Sequence, residues 1–167
     1  YGPLSLETRM SRSGDKLTLL NGKELELKDD STILITSNDV PVGVGAAMGG
    51  ADTEVDESTK NIVIECANFD MYSVRRTSMK YGIFTDAVTL FNKGQSRLQN
   101  DRVLEEAVAL VQSLSGAHVA SDVHDGKDPS EQHSTVSVSA EFINERLGLE
   151  LKLGEIVSLL TNVEFHV

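Results

Sequence analysis

Residues 61–94, NIVIECANFDMYSVRRTSMKYGIFTDAVTLFNKG, decide how this chain is read. The alternation from Asn61 to Ala67 suits a β-strand. Ile62, Ile64 and Cys66 would share one face, and Val63, Glu65 and Ala67 the other. Glu65 is then a carboxylate in an otherwise apolar strand. Asp70 can cap a helix over residues 71–81, and Gly82 can supply the left-handed residue that stops it. Arg75 and Arg76 point about 100° apart on such a helix, so at most one faces the core side. A Gly-ended turn then leads through Thr85 and Asp86 to a second polar segment ending at Gly94. That order brings Glu65, Arg75, Arg76, Thr85 and Asp86 near one another without a Cys/His metal cluster or a Ser/His/Asp nucleophile set. Two readings of Glu65 stay open: a functional carboxylate in a cleft, or a structural one at a strand edge or paired with Arg75 or Arg76.

Upstream, KLTLLNGKELEL (residues 16–27) alternates around Asn21-Gly22, which predicts a hairpin with a type I′ turn. Residues 32–37 are β-branched and apolar, as in a buried strand. VGVGAAMGG (residues 42–50) superficially resembles a dinucleotide loop, but Met48 stands where the third glycine of GxGxxG belongs. The stretch after it is acidic and turn-rich instead of helical. A close-packed strand with a glycine corner is the expectation there. Downstream, residues 100–113 predict an amphipathic helix covering the core, with Val103, Ala107, Val108, Leu110, Val111 and Leu114 on its apolar side. SGAHVASDVHDGKDPSEQHS then reads as a linker. Its His118, His124 and His133, with Asp122, Asp125 and Asp128, match no compact metal motif. A strand at residues 135–138 follows, then a helix over residues 140–147 capped by Ser139 and ended by Gly148, a second helix and a last strand.

The 167 residues allow one ordinary domain and a small appendage, and 40% hydrophobic content supports a real core. The lone cysteine, Cys66, excludes an internal disulfide framework and fits a reducing cytosol. No apolar run approaches the ~20 residues of a membrane helix. The formal net charge is −11, whereas a freestanding nucleic-acid binder shows a basic patch. Any nucleic-acid contact is therefore local, or made by domains absent from this stretch. The first residue is Tyr1 rather than Met, which fits a piece of a longer protein.

The order IVIECANF, SVRRTSMKYG, IFTDAV, LFNKG resembles the middle of the B3/B4 domain of bacterial phenylalanyl-tRNA synthetase beta chains, whose pattern is roughly VLLE(S/C)AxF, a helix with an Arg pair, HGL(R/H)T(E/D)AS and R(F/Y)ERG. VGAAMGG resembles that family's AGVMGG corner, with Ala46 and Ala47 where Gly-Val is commoner. FINERLG and GEIVSLLTNVEF resemble the start of the neighbouring B5 domain. The resemblance implies an α+β fold: a mixed-sheet B3/B4-type editing domain with packed helices over residues 1–117, a linker over 118–134, and a partial winged-helix-like, B5-type segment over 135–167. It implies part of the beta subunit of a cytoplasmic phenylalanine-tRNA ligase, partnered by an alpha chain and tRNA(Phe). This part would hydrolyse tyrosine wrongly esterified to that tRNA and add tRNA or subunit contacts. By motif, Glu65 would meet the tyrosine hydroxyl, Ala87 would leave room for the side chain, and Gly45 and Ala46 would line the pocket. No catalytic side chain is implied, only a positioned water. No cofactor or metal belongs to this part, while ATP and Mg2+ would serve the whole enzyme. Val88 in place of Ser, and Leu90-Phe91-Asn92-Lys93 in place of R(F/Y)ER, depart from the pattern and put the role of that run in doubt. Two alternatives remain: a non-catalytic brace within the synthetase, or a freestanding domain of this type acting on another aminoacyl-tRNA or small ligand.

Overall fold

Six strands occupy the first fifty residues of the computed structural model, which describes residues 5–126 and 135–167. They are β1 (Leu6–Met10), β2 (Lys16–Thr18), β3 (Glu24–Glu26), β4 (Ile33–Ser37), β5 (Val40–Val44) and β6 (Met48–Gly49). β1, β4, β5 and β6 form one sheet in that order, β2 and β3 form a hairpin, and every pair is antiparallel. Short connections dictate this, since a parallel pair would need a long crossover. Five helices follow: α1 (Met71–Tyr81), α2 (Asp86–Phe91), α3 (Asn100–Ser115), α4 (Ala140–Leu147) and α5 (Leu153–Asn162). The α+β class expected from the sequence is therefore what the chain adopts. It divides into two units, residues 1–120 and residues 121–167.

In the first unit, the β2–β3 turn is not type I′. Gly22 is the left-handed residue (φ 79°), while Asn21 keeps a negative φ. Gly22 N–H donates to Leu19 O at 2.8 Å, and Leu19 N–H to Lys23 O at 2.9 Å. This is the three-residue loop with a glycine bulge, the other common solution for a hairpin. The two-residue turn with both central residues left-handed lies elsewhere, at Asn38 (φ 49°) and Asp39 (φ 66°), between β4 and β5. Arg9 of β1 secures this end of the unit. Its guanidinium donates to Asp15 at 2.7 and 3.1 Å and to Asp39 at 2.9 Å, and the pairing holds the Asp15 carboxyl below its ordinary range.

The core lies among the hairpin, β4, the β5–β6 corner and the first two helices: Leu17, Leu19, Leu25, Leu27, Leu34, Val44, Val74, Ile83 and Val88 are all buried. Helix α1 starts where Asp70 accepts a hydrogen bond from Ser73 N–H at 2.8 Å and stops at left-handed Gly82. Its buried face is Ser73, Val74, Thr77 and Ser78, whose small side chains permit close approach to the sheet. Thr77 donates to Thr32 Oγ1 across that contact, and Ser78 to Ile83 O just past the helix end. Lys80 pairs with Asp29 and holds that carboxyl at about 2.

Two expectations fail in this unit. Residues 61–67 form no strand. A strand exists only by pairing, and the β5 residues facing this segment are already paired on both sides, with Leu34 and Ile35 and with Met48 and Gly49. The segment docks through side chains instead, with Ile62 and Val63 exposed. Helix α3 does not cover the core either, since none of its residues is buried. Amphipathicity says that a face needs cover, not that this core supplies it.

In the second unit, Ser139 accepts from Phe142 N–H, Gly148 ends α4, and the Asn144 amide clasps Leu151 through two 2.9 Å hydrogen bonds. Among the described residues of this unit only Ile156 is buried, and no strand appears at 135–138 or after α5, because an isolated extended segment has no ladder to join. His133 and Asp128 lie outside the described residues. Among the described residues, no three His, Cys, Asp or Glu gather as a metal would require, and no helix is long and apolar enough to cross a membrane.

Candidate functional site

The corner between β5 and β6 is built by main-chain constraints. Ala47 N–H donates to Val44 O at 3.0 Å, closing a four-residue turn whose third residue, Ala46, is left-handed (φ 57°). Beside it Gly45 has no room for a side chain. An added Cβ would stand 2.8 Å from the Phe69 ring and 3.1 Å from Ile33 Cγ2. Phe69 is therefore pressed onto bare backbone, and it meets Phe91 edge-on at 5.8 Å. Thr85 has two tasks. Its hydroxyl donates to Ala47 O at 2.9 Å and accepts from Val88 N–H at 3.1 Å. One oxygen thus caps α2 and ties it to the corner, which sets Ala87 beside the glycine turn.

These elements enclose an open cleft of about 290 Å³. Its walls come from Ile35, residues 42–49, Glu65 and Ala87. The four residues singled out in the sequence, Gly45, Ala46, Glu65 and Ala87, therefore share one cavity. Glu65 is the single ionisable group in those walls. As a whole residue it is exposed, so solvent still reaches it, yet the atoms crowding its carboxyl push it above the ordinary carboxylate range. Among the described residues no cation lies within ion-pair distance to pull it back. An unpaired acceptor facing an apolar cleft is suited to a ligand that brings a donor to an otherwise apolar body.

Arg75 and Arg76 are not part of this cavity. Both are exposed, and Arg76 donates to Ser73 Oγ at 2.9 Å. Among the described residues Glu65 makes no ion pair with either, which was one form of the structural reading left open by the sequence. Asp86 also stays outside the walls, while Thr85 acts through its tether. Cys66 turns its sulfur toward Asn100 O at 3.5 Å. Sequence reasoning missed Ile35 and Met48. Alternation in β4 could have found Ile35, because Leu34 and Thr36 face the core and leave Ile35 on the opposite side. Met48 was read only as the residue that spoils a glycine motif, yet it opens β6 and lines the cleft.

The chain is similar to known proteins along its whole length. Residues 3–116 match the family model of the B3/4 domain. The chain is 34% identical over 167 residues to the phenylalanine–tRNA ligase beta subunit of Lactococcus lactis subsp. lactis (strain IL1403), covering 100% of this chain and 21% of that protein. It is 40% identical over 161 residues to the same subunit from Streptococcus thermophilus (strain CNRZ 1066), covering 94% and 20%. With the subunit from Bacillus cereus the figures are 31% over 164 residues, 98% and 20%. The chain thus spans about a fifth of the length of these relatives. With residues 3–116 of 167 matched by that model, this chain is a member of the B3/4 domain family.

Proposed function

We propose that the cleft is an editing pocket that removes tyrosine from tRNA(Phe), within the beta subunit of a phenylalanine-tRNA ligase. The observation that carries this is the unpaired Glu65 carboxylate in a cavity otherwise walled by apolar side chains and backbone. A synthetic site chosen for phenylalanine cannot strongly reject a side chain that merely adds a hydroxyl, so a second pocket must recognise that hydroxyl. The tyrosine phenol donates to Glu65. Phenylalanine in the same place would cover the carboxylate and leave it without a partner, at a cost of roughly 1–3 kcal/mol. Gly45, Ala46 and Ala87 keep the cleft wide enough for the ring.

Hydrolysis breaks the ester between the tyrosyl carbonyl and the terminal ribose. Water adds at the carbonyl carbon, and the ribose oxygen leaves with a proton. The cavity walls offer no nucleophile, so the water is positioned by the bound ester and by the substrate's adjacent ribose hydroxyl. The whole enzyme would work in the cytoplasm with an alpha chain, ATP and Mg2+. The ATP and Mg2+ chemistry would be that of the whole enzyme. A supporting result is Tyr-tRNA(Phe) hydrolysis by the parent enzyme that falls at least tenfold in Glu65→Gln, with phenylalanine charging unchanged. Undiminished hydrolysis in that variant removes Glu65 from the pocket's chemistry. A non-catalytic bracing role gains some support from the exposed apolar residues of α3, Val103, Leu110 and Leu114. Absence of Tyr-tRNA hydrolysis in the parent enzyme would favour it.

A further inference from the structure

Charge is distributed unevenly along this acidic chain. Residues 71–100 carry five cations, Arg75, Arg76, Lys80, Lys93 and Arg97, against one carboxylate, Asp86. That is a net +4, so the remainder of the chain carries −15. This segment is also the one joined to the cleft. Phe69 lies on Gly45 and meets Phe91, Asn68 Nδ2 donates to Gln95 O at 2.7 Å, and the Met71 sulfur lies against Gly94. Arg75 follows Met71 by one helical turn on the same face, and Lys93 directly precedes Gly94, against which the Met71 sulfur lies. Neither has an ion-pair partner among the described residues. In the adjacent row, Tyr72 is 61% exposed and Arg76 lies one turn beyond it. The Asp70 carboxylate near Arg76 is occupied in capping Ser73. Lys80 is already paired with Asp29.

An exposed aromatic ring flanked by exposed guanidinium groups is the arrangement that holds single-stranded nucleic acid, by base stacking and phosphate contact together. We infer that the exposed face of α1, formed by Tyr72, Arg75 and Arg76 with Lys93 beside it, is the track for the single-stranded RNA end whose terminal ester enters the cleft. This rests on the editing function proposed above. Tyr72 stacks a base, and Arg75, Arg76 and Lys93 neutralise phosphates while the rest of the acidic surface repels the strand. The strand is thereby led to the basic segment that is tied to the cleft through Phe69 on Gly45.

The test measures binding alone, so it is independent of hydrolysis. The isotopically labelled chain is titrated with a single-stranded RNA hexanucleotide bearing a free 3′ ribose, and amide resonances are followed at several salt concentrations. Shifts confined to residues 71–97 and the cleft walls are expected. Arg75→Ala/Arg76→Ala should weaken binding about tenfold or more and reduce the slope of log affinity against log salt by about 1.4, two phosphate contacts on a single strand. Tyr72→Ala should weaken binding while leaving that slope unchanged. Lys16→Ala/Lys28→Ala removes the same charge from the exposed side of the hairpin and should change little. Unshifted remaining resonances establish that each variant is folded. The inference is overturned by no shifts at millimolar RNA, by shifts centred elsewhere, by equal weakening in the hairpin variant, or by equal shifts with inorganic phosphate. Any of these leaves the pocket reading standing, and loss of Tyr-tRNA hydrolysis alone would leave the track standing.

Discussion

Glu65 and Ala46 show how single residues set the cleft's properties. The Glu65 carboxyl is raised by burial, so its folded value lies above its unfolded one. It therefore favours the fold below the unfolded value, and that contribution is lost as pH rises through the raised folded value. At neutral pH Glu65→Gln should melt at the same temperature as the parent or higher, while tyrosine recognition falls. Calorimetry beside an ester-hydrolysis assay checks both, and a markedly lower melting temperature would show an unseen structural partner. In the unsubstituted protein, discrimination should fade as acid protonates the carboxylate, beginning above the pH at which an ordinary glutamate titrates. Ala46 is held left-handed, which costs an L-residue about 1–2 kcal/mol. Ala46→Gly relieves this but frees the unfolded chain, so a net gain of about 0.5–1 kcal/mol should appear in denaturant unfolding. Ala46 was legible as a cleft candidate only through its place in a motif series, whereas Glu65 already stood out as a carboxylate in an apolar stretch. From residue type alone, Glu65 was equally readable as an ion-pair partner, since sequence does not show which cation a fold brings near.

Elements were legible to the extent that their causes are local. The caps of α1 and α4 depend on one side chain and one glycine each, and Asp70, Gly82, Ser139 and Gly148 all do what their chemistry favours. Residues 61–67 were misread because a strand needs a free partner edge, which no local pattern reports. Helix α2 was missed because its six residues carry little periodicity and its start depends on Thr85, whose second partner, Ala47 O, is distant in sequence. Thr85→Ala should cost about 1–2 kcal/mol, as losing a cap does, and should loosen Ala87 as well. A drop in Tyr-tRNA hydrolysis larger than the loss of folded protein would reveal that second effect. Ala87→Trp should block the cleft by overpacking while leaving phenylalanine charging near normal. Equal loss of both activities would instead indicate a folding defect.

At the scale of the whole molecule, net charge and local charge lead to different expectations that hold together. With −11 overall, binding of full tRNA at physiological salt should be weaker than micromolar, because a few local cations act only within about 8–10 Å. A filter or anisotropy titration giving sub-micromolar affinity would contradict that. The cleft itself has unequal walls. One is a hydrogen-bonded corner of β5 and β6 tethered to α2, and the other, bearing Glu65, belongs to a segment with no ladder. Amide deuteration should therefore be slow at Val44 and Ala47 and fast across 61–67 in the empty protein. A tyrosyl ligand bridging the two walls should leave the corner's exchange nearly unaltered and retard that of the Glu65 segment. Occupancy would then be recorded as acquired order on one side of the site alone.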